Sequence, residues 1–286
     1  MKILISGKNG YVSKCLNKYK TNHTSTYDFL TSQNLHSPQE SYDFFISSKL
    51  SKHYDIYIHG ASYPRENYSD RDKKNHELLI NSLAACKRNK IKKFIFLSSG
   101  AVYKNRMIAN DENSIVDDKN ITKNKYSYYK LLSENYLKDF CSNNNMEFVI
   151  LRLFSFGGSD LLKRNEFAIS SMINSANTSD CINVMNPKVM RSYLHSLDLA
   201  KQIEAAITSV NQIYNIGSGK PYTMLELAYE IKNSYEQIKD KKINLLINDD
   251  AKQDTYIPIV DKINTTYDFE NNLTLKDIIQ EMVLAI

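Results

Sequence analysis

Tyr126 and Lys130 stand four residues apart in the run Tyr126-Ser127-Tyr128-Tyr129-Lys130, a spacing that puts both side chains on one helix face, one turn apart. A phenol with an ordinary pKa of about 10 is a poor base at neutral pH, but an ammonium beside it stabilises the phenolate. Such a pair can shuttle a proton. With 20 tyrosines in the chain, composition alone produces this spacing easily, so its weight comes from the company it keeps. A second constellation, Ser98-Ser99-Gly100-Ala101-Val102-Tyr103, follows a short apolar stretch at Phe94–Leu97.

A third constellation opens the chain. The first apolar run leads into Gly7-Lys8-Asn9-Gly10-Tyr11-Val12-Ser13 and then into a helix. Two glycines let a backbone turn tightly and approach phosphate groups, and a helix N-terminus offers unpaired N–H groups, so this is where a dinucleotide fold seats a pyrophosphate. The third glycine position of that fingerprint holds Ser13. Asp28 lies 18 residues beyond Gly10, near the roughly 20-residue spacing of a ribose-binding carboxylate. That placement favours NAD. Two alternatives stand beside it: Asp28 as a loop cap, and Lys8 meeting the 2′-phosphate of NADP.

These residues need a scaffold, and the chain supplies one. Short apolar runs alternate with helical patterns, as in βαβ units around a covered parallel sheet. Strands are predicted at Lys2–Ser6, Thr24–Asp28, Asp55–His59, Lys93–Ser98, Phe148–Leu153 and Gln212–Ile216, with helices at Glu77–Arg88, Ser127–Cys141 and Ser196–Ile207. After Gly219 the pattern predicts a helix at Thr223–Ser234, a strand at Ile243–Ile247 and a final helix at Leu275–Leu284. This tail, with Ser155–Pro187, reads as a smaller lobe capping the carboxyl edge of the sheet, where open α/β folds bind ligands.

Composition narrows the function classes. Hydrophobic residues make up 42% and charged residues 24%, and the net charge of +5 is scattered along the chain, which argues against a nucleic-acid partner. The opening apolar run is too short for a secretory signal, and no stretch reaches a membrane span of roughly 18 apolar residues. The expected location is cytoplasmic, with no membrane partner. Cys15, Cys86, Cys141 and Cys181 are widely spaced, so reduced thiols are expected, with neither a disulfide nor a metal site.

Taken in order, these pieces resemble the extended short-chain dehydrogenase/reductase family, in its nucleotide-sugar epimerase, dehydratase and ketoreductase branch. The matching pieces are the glycine-rich start, His59-Gly60-Ala61-Ser62, the Ser98–Tyr103 run, the Tyr126/Lys130 pair, Leu151-Arg152-Leu153-Phe154, the run Arg191–Ala200, and Tyr214-Asn215-Ile216-Gly217-Ser218-Gly219. The resemblance implies an α/β fold, a Rossmann-type doubly wound parallel sheet with a smaller C-terminal substrate-binding lobe. Its dinucleotide-binding domain would take 1–154 and 191–217, and its lobe 155–190 and 218–286.

The resemblance also implies roles. Tyr126 is the acid/base, Lys130 favours its phenolate and binds the nicotinamide ribose, and Ser99 hydrogen-bonds the reacting sugar oxygen. Gly7, Gly10, Tyr11, Val12, Asp28, Gly60 and Ala61 line the cofactor, NAD or NADP. Arg191 takes the diphosphate of the nucleotide sugar as a planar bidentate donor, its plain alternative being a surface ion pair, and Ser155 stands where an asparagine usually touches that diphosphate. His59, His195 and Asp198 are read as packing residues, and Asn75 as structural. A homodimer through the Tyr126 helix is implied as well.

Departures from the family pattern narrow the reaction. Gly100 and Ala101 occupy the positions of the acidic pair that a sugar 4,6-dehydratase needs for elimination, and Gly100 that of the cysteine used by combined epimerase–reductases. What remains is hydride traffic at a sugar carbon, C4 in this reading. A 4-ketoreductase that exchanges its cofactor is favoured by the compact tail and altered glycine loop, with a 4-epimerase holding NAD tightly as the alternative. A reading of another class is an inactive cofactor-binding sensor or scaffold, against which stands the presence of all of Ser99, Tyr126 and Lys130.

Overall fold

The computed structural model describes residues 1–19, 24–31, 41–63, 70–117, 124–248, 253–271 and 273–286. In chain order the first half runs β1 (Lys2–Ser6), α1 (Tyr11–Tyr19), β2 (Thr26–Leu30), α2 (Tyr42–Ser47), β3 (Ile56–His59), α3 (Arg71–Arg88), β4 (Lys93–Ser99), α4 (Lys125–Asn143) and β5 (Glu147–Leu153). There follow β6 (Phe156–Gly157), α5 (Ala168–Ser179), β7 (Cys181–Met185), β8 (Met190–Arg191), β9 (Leu194–His195), α6 (Ser196–Ala206) and β10 (Gln212–Ile216). The tail adds β11 (Tyr222–Thr223), α7 (Met224–Lys239), β12 (Asn244–Asn248), β13 (Thr255–Tyr256), α8 (Asp261–Tyr267) and α9 (Leu275–Leu284).

Six strands form the main sheet in the order β10-β5-β4-β3-β1-β2. β1 pairs in parallel with β2 and β3, β3 with β4, and β4 with β5. Every residue of β3 and β4 is buried, as strands covered on both faces by helices must be. Strand order reverses about β1, because β2 lies on one side and β3, β4 and β5 on the other. Loops leaving β1 and β3 therefore diverge at their carboxyl ends, the switch point where doubly wound sheets bind ligands. Behind the sheet, Tyr57 stacks on Phe45 with ring centroids 5.0 Å apart and meets Phe94 at 5.1 Å.

Two compact units divide the chain. The first comprises Met1–Lys104, Ser114–Leu153 and Ala200–Tyr214; the second comprises Asn105–Asn113, Phe154–Leu199 and Asn215–Ile286. The run Arg191–Leu199, which the sequence reading placed with the dinucleotide-binding domain, packs within the second unit. In that unit β12 pairs in parallel with β7, and β8 lies between β11 and β13. Among the described residues, no helix is long and apolar enough to cross a membrane. All four cysteines are free thiols.

Several elements differ from their predicted bounds for local reasons. β2 begins at Thr26 and ends at Leu30 rather than Asp28, because its register sets Lys2 against Thr26 and Ser6 against Leu30, burying Leu30. α3 starts at Arg71, six residues before the expected Glu77. α4 starts at Lys125, where the Asn124 side chain caps the helix by accepting from the Ser127 N–H at 3.2 Å, satisfying one of the donors left over at a helix start. α2, α5 and α8 and the strands β6, β7, β8, β9, β11 and β13 have no counterpart among the predicted elements.

Candidate active site

The carboxyl end of β4 and the first turns of α4 are stitched together by side chains from both elements. Ser127 Oγ donates to the Ala101 carbonyl at 2.5 Å, Lys130 Nζ donates to the Leu97 carbonyl at 2.8 Å, and Ser98 Oγ donates to Glu134 at 2.6 Å. Ser99 is buried and ends β4, its hydroxyl accepting from the Ala101 N–H at 3.2 Å. Tyr126 sits next to Ser127 and is half-buried. The Lys130 ammonium lies 6.0 Å from the centroid of the Tyr126 ring and 4.7 Å from that of Phe96. Ser99, Tyr126 and Lys130 thus belong to two elements fixed to each other at the same end. A phenol, an ammonium and a hydroxyl so assembled can exchange a proton with a substrate oxygen.

A second cation approaches the same ring. The Arg71 guanidinium lies 5.8 Å from the Tyr126 ring centroid and is tied to Asp72 by bonds of 3.1 and 2.7 Å. Beneath Lys130, His59 is fully enclosed: burial, helped by the Lys130 charge, pushes its pKa down to about 3. It is a neutral packing residue at neutral pH. Asn75 Oδ1 accepts from the Tyr63 N–H at 2.8 Å, holding the chain that follows β3.

Gly7, Gly10, Gly60 and Ala61 meet at the switch point. Gly7 has φ +84°, and a Cβ there would lie 2.7 Å from the Gly60 carbonyl oxygen. A side chain is excluded on two counts, backbone conformation and space. Ser6 Oγ accepts from the N–H groups of Gly60 and Ala61 at 3.2 and 3.1 Å, locking the two loops together. Lys14 N–H bonds to the Gly10 carbonyl at 3.0 Å and starts α1, so the first-turn N–H groups, those of Tyr11, Val12 and Ser13, have no acceptor further back in the helix. The cradle fits a pyrophosphate: backbone donors, a helix start, and no side chain at the turn.

Asp28 is not where a ribose-binding carboxylate belongs. It pairs in register with Leu4, two residues short of the strand end, where Leu30 pairs with Ser6. Leu30, through its carbonyl, accepts from the Lys8 N–H at 3.1 Å. The Asp28 carboxylate instead accepts from Tyr54 Oη at 2.7 Å and Lys52 Nζ at 3.2 Å. The Tyr54 hydrogen bond, with help from Lys52, holds its carboxyl below the ordinary range. The spacing signal failed because β2 is displaced by two residues along the chain.

Arg191, in the second unit, is held on three sides. Its Nη2 donates to Asp254 Oδ2 at 2.7 Å, its Nη1 donates to the Met190 carbonyl at 2.7 Å, and the guanidinium lies 5.8 Å from the Tyr256 ring centroid. Pairing of β13 with β8, Tyr256 against Arg191, fixes this arrangement. Burial pushes the Asp254 carboxyl up, but the guanidiniums of Arg106 and Arg191 outweigh it and hold it below the ordinary range. Ser155 is half-buried in the same unit, its carbonyl accepting from the Leu194 N–H at 3.1 Å. His195 and Asp198 are packing residues: His195 Nε2 lies 2.6 Å from Glu281, and Asp198 Oδ2 accepts from the Leu273 N–H at 3.3 Å.

Sequence reasoning gave no role to Glu134, Arg152 or Asp254. A signal existed for the first two: an acid one turn past Lys130, and a lone arginine inside the apolar strand Val149-Ile150-Leu151-Arg152-Leu153. Charges in such places demand partners.

A model of the NAD dependent epimerase/dehydratase family matches residues 3–217. No curated protein matches the chain. Among solved structures, the UDP-glucuronic acid 4-epimerase from Bacillus cereus in complex with NAD is 19% identical with a TM-score of 0.79, covering 100% of this chain and 98% of that one. The UDP-N-acetylglucosamine 4-epimerase from Bacillus cereus is 19% identical with a TM-score of 0.81, over 100% and 96%. RMD from Pseudomonas aeruginosa, complexed with NADPH, is 18% identical with a TM-score of 0.80, over 99% and 98%. At these identities the likeness establishes the fold, a Rossmann-like parallel sheet flanked by helices.

Proposed function

The chain belongs to the NAD dependent epimerase/dehydratase family, and from that premise we propose that it is an enzyme that moves hydride at C4 of a nucleotide-diphosphate sugar, as a 4-ketoreductase. The observation that carries the reading is the stitching of α4 to the end of β4 through Ser127–Ala101 and Lys130–Leu97, which sets Tyr126 and Lys130 beside the strand that Ser99 terminates. Gly7, Gly10, Gly60 and Ala61, with Tyr11 and Val12 at the head of α1, would hold the pyrophosphate of NAD or NADP. The nicotinamide, when bound, supplies the hydride that C4 receives.

This chain's own residues do the rest. The Ser99 hydroxyl orients the C4 oxygen, and Tyr126 donates its phenolic proton to that oxygen as C4 becomes tetrahedral. Lys130 stabilises the phenolate left behind and binds the nicotinamide ribose. Arg191, with Ser155 nearby in sequence to the strand end at Leu153, takes the substrate diphosphate. Among the described residues the end of β2 carries Leu30 and Thr31, with Asp28 two residues before the strand end, and either NAD or NADP serves as the cofactor.

A 4-epimerase reading has its own support, since two of the similar structures are named 4-epimerases. Purified protein is incubated with NADH or NADPH and a panel of UDP-, dTDP- and GDP-linked 4-keto sugars, and loss of the reduced cofactor is followed. Turnover supports the reductase. Interconversion of C4 epimers with no added cofactor favours the epimerase, and neither activity leaves a cofactor-binding scaffold. The proposal includes a homodimer through α4, checked by sedimentation.

A further inference from the structure

Asp254 carries two arginines, not one. Arg106 grips it with both prongs of its fork, Nε to Oδ1 at 3.0 Å and Nη2 to Oδ2 at 2.9 Å, while Arg191 Nη2 reaches the same Oδ2 at 2.7 Å. One carboxylate cannot neutralise two guanidiniums, so the cluster keeps a net positive charge. The two cations lie near one aromatic ring, Arg106 at 4.8 Å and Arg191 at 5.8 Å from the centroid of Tyr256, which in turn meets Phe154 at 4.6 Å. Asp254 is largely enclosed, at 13% side-chain exposure, whereas Arg106 and Arg191 stay open at 34% and 23%. The anion is sunk and the cations are presented.

A merely structural clip would explain the pair if the 105–113 segment needed it, but that segment is already fastened by its backbone. The Thr255 N–H donates to the Arg106 carbonyl at 2.6 Å, the Asn110 N–H to the Ile257 carbonyl at 3.2 Å, and the Ile259 N–H to the Asn110 carbonyl at 2.8 Å. Asn110 Nδ2 closes the loop on the carbonyls of Asn105 and Ile108 at 2.9 and 3.0 Å. With the loop so held, Arg106 Nη1 makes no hydrogen bond among the described residues, and neither does Arg191 Nε. Preset guanidiniums with donors to spare and surplus charge suit a multivalent phosphate anion.

We propose that Arg106 is a second diphosphate-binding guanidinium, aligned with Arg191 by their shared Asp254, so that the two arginines together recognise the diphosphate of the substrate. The inference rests on the assignment of Arg191 to that diphosphate and adds a residue to it. A monophosphate engages one guanidinium; a diphosphate engages both.

The test is calorimetric titration of the full-length protein with UDP, dTDP and GDP and with the matching monophosphates. The wild type binds at least one diphosphate more tightly than its monophosphate. Arg106→Gln weakens that diphosphate by about 10- to 100-fold and the monophosphate by less than about threefold, with NADPH affinity unchanged. Arg106→Lys keeps the charge but loses the fork, and gives an intermediate loss. It also serves if the glutamine variant fails to fold. Unchanged diphosphate affinity in a folded Arg106→Gln, alongside a loss in Arg191→Gln, overturns the role of Arg106 and leaves that of Arg191 standing. Equal losses for diphosphate and monophosphate, or unfolding of both Arg106 variants, overturn it too, by making Arg106 structural. A wild type that binds no diphosphate sinks both assignments.

Discussion

Arg152 and Glu134 form a two-pronged ion pair in the interior of the first unit, Nε to Oε1 at 3.1 Å and Nη2 to Oε2 at 2.7 Å, with side-chain exposures of 4% and 0%. Ser98 Oγ and Tyr103 Oη join the pair, the first donating to Glu134 and the second accepting from Arg152 at 3.0 Å. Burial alone would lower the Arg152 pKa, but Glu134 and Tyr103 outweigh it and raise it above the ordinary range. The pair joins β5 to α4 one turn beyond Lys130, so it sets the position of the helix that bears the proposed acid/base.

Removing one partner leaves a buried charge unpaired, which costs about 3–5 kcal/mol. Glu134→Gln and Arg152→Met should each lower unfolding stability by that order in urea titrations. Replacing both by apolar residues, Glu134→Leu with Arg152→Met, should recover most of the loss. The double variant should still turn over about tenfold more slowly or worse, because α4 then loses its polar tie to β5, leaving the Ser127 and Lys130 bonds at the end of β4 to set its register. Full activity in a stable double variant would reduce the pair to packing.

The positions of β3 and β4 were legible because Ile56–Ile58 and Phe94–Leu97 are apolar runs, and α9 because its apolar positions recur at helical spacing with a cap at Thr274. α5 carried the same signal in Ile169, Met172, Ile173 and Ala176, all buried on one face, but serines and asparagines between them mask it. α2 has six residues, fewer than two turns, which is too short for periodicity to register. Residues that touch across the sequence were the hardest to read. Asp254 meets Arg106 and Arg191 only after β13 pairs with β8, and no local pattern announces that pairing.

Tyr126→Phe keeps the ring near Arg71 and Lys130 and removes only the hydroxyl with its proton. Turnover should fall by about 10²–10⁴-fold, with NADPH affinity within about twofold of the wild type. Lys130→Met should instead lower both turnover and cofactor affinity, since the ammonium is assigned two tasks. Stopped-flow fluorescence of bound NADPH beside steady-state rates separates the two patterns. A Tyr126→Phe enzyme retaining more than about a tenth of wild-type activity would remove Tyr126 from the chemistry.

Asp28 offers a check on the cofactor reading. Its carboxylate is committed to Tyr54 and Lys52, so Asp28→Asn should leave the ratio of NADPH to NADH affinity within about twofold while lowering thermal stability by an amount typical of a part-exposed polar contact, on the order of 1 kcal/mol. A strong NADH preference that disappears in Asp28→Asn would restore the ribose role to this residue.

Glu281 ties α9 to the body of the second unit, accepting from Ser159 Oγ at 2.7 Å and the Ser159 N–H at 3.0 Å and meeting His195 Nε2 at 2.6 Å. The His195 hydrogen bond, with the Ser159 bonds outweighing the effect of burial, brings its pKa from 4.5 down to about 2. A folded-state value below the unfolded one means the carboxylate stabilises the fold fully above about pH 4.5, and that contribution drains away as pH falls toward 2. Urea titrations at stepped pH should show the wild type losing stability through this window. Glu281→Gln should start lower at neutral pH, because a neutral amide replaces the charged acceptor, and should fall less steeply between pH 4.5 and 2. Parallel acid limbs in the two proteins would mean that some other carboxylate governs acid unfolding and that the α9 contact contributes little.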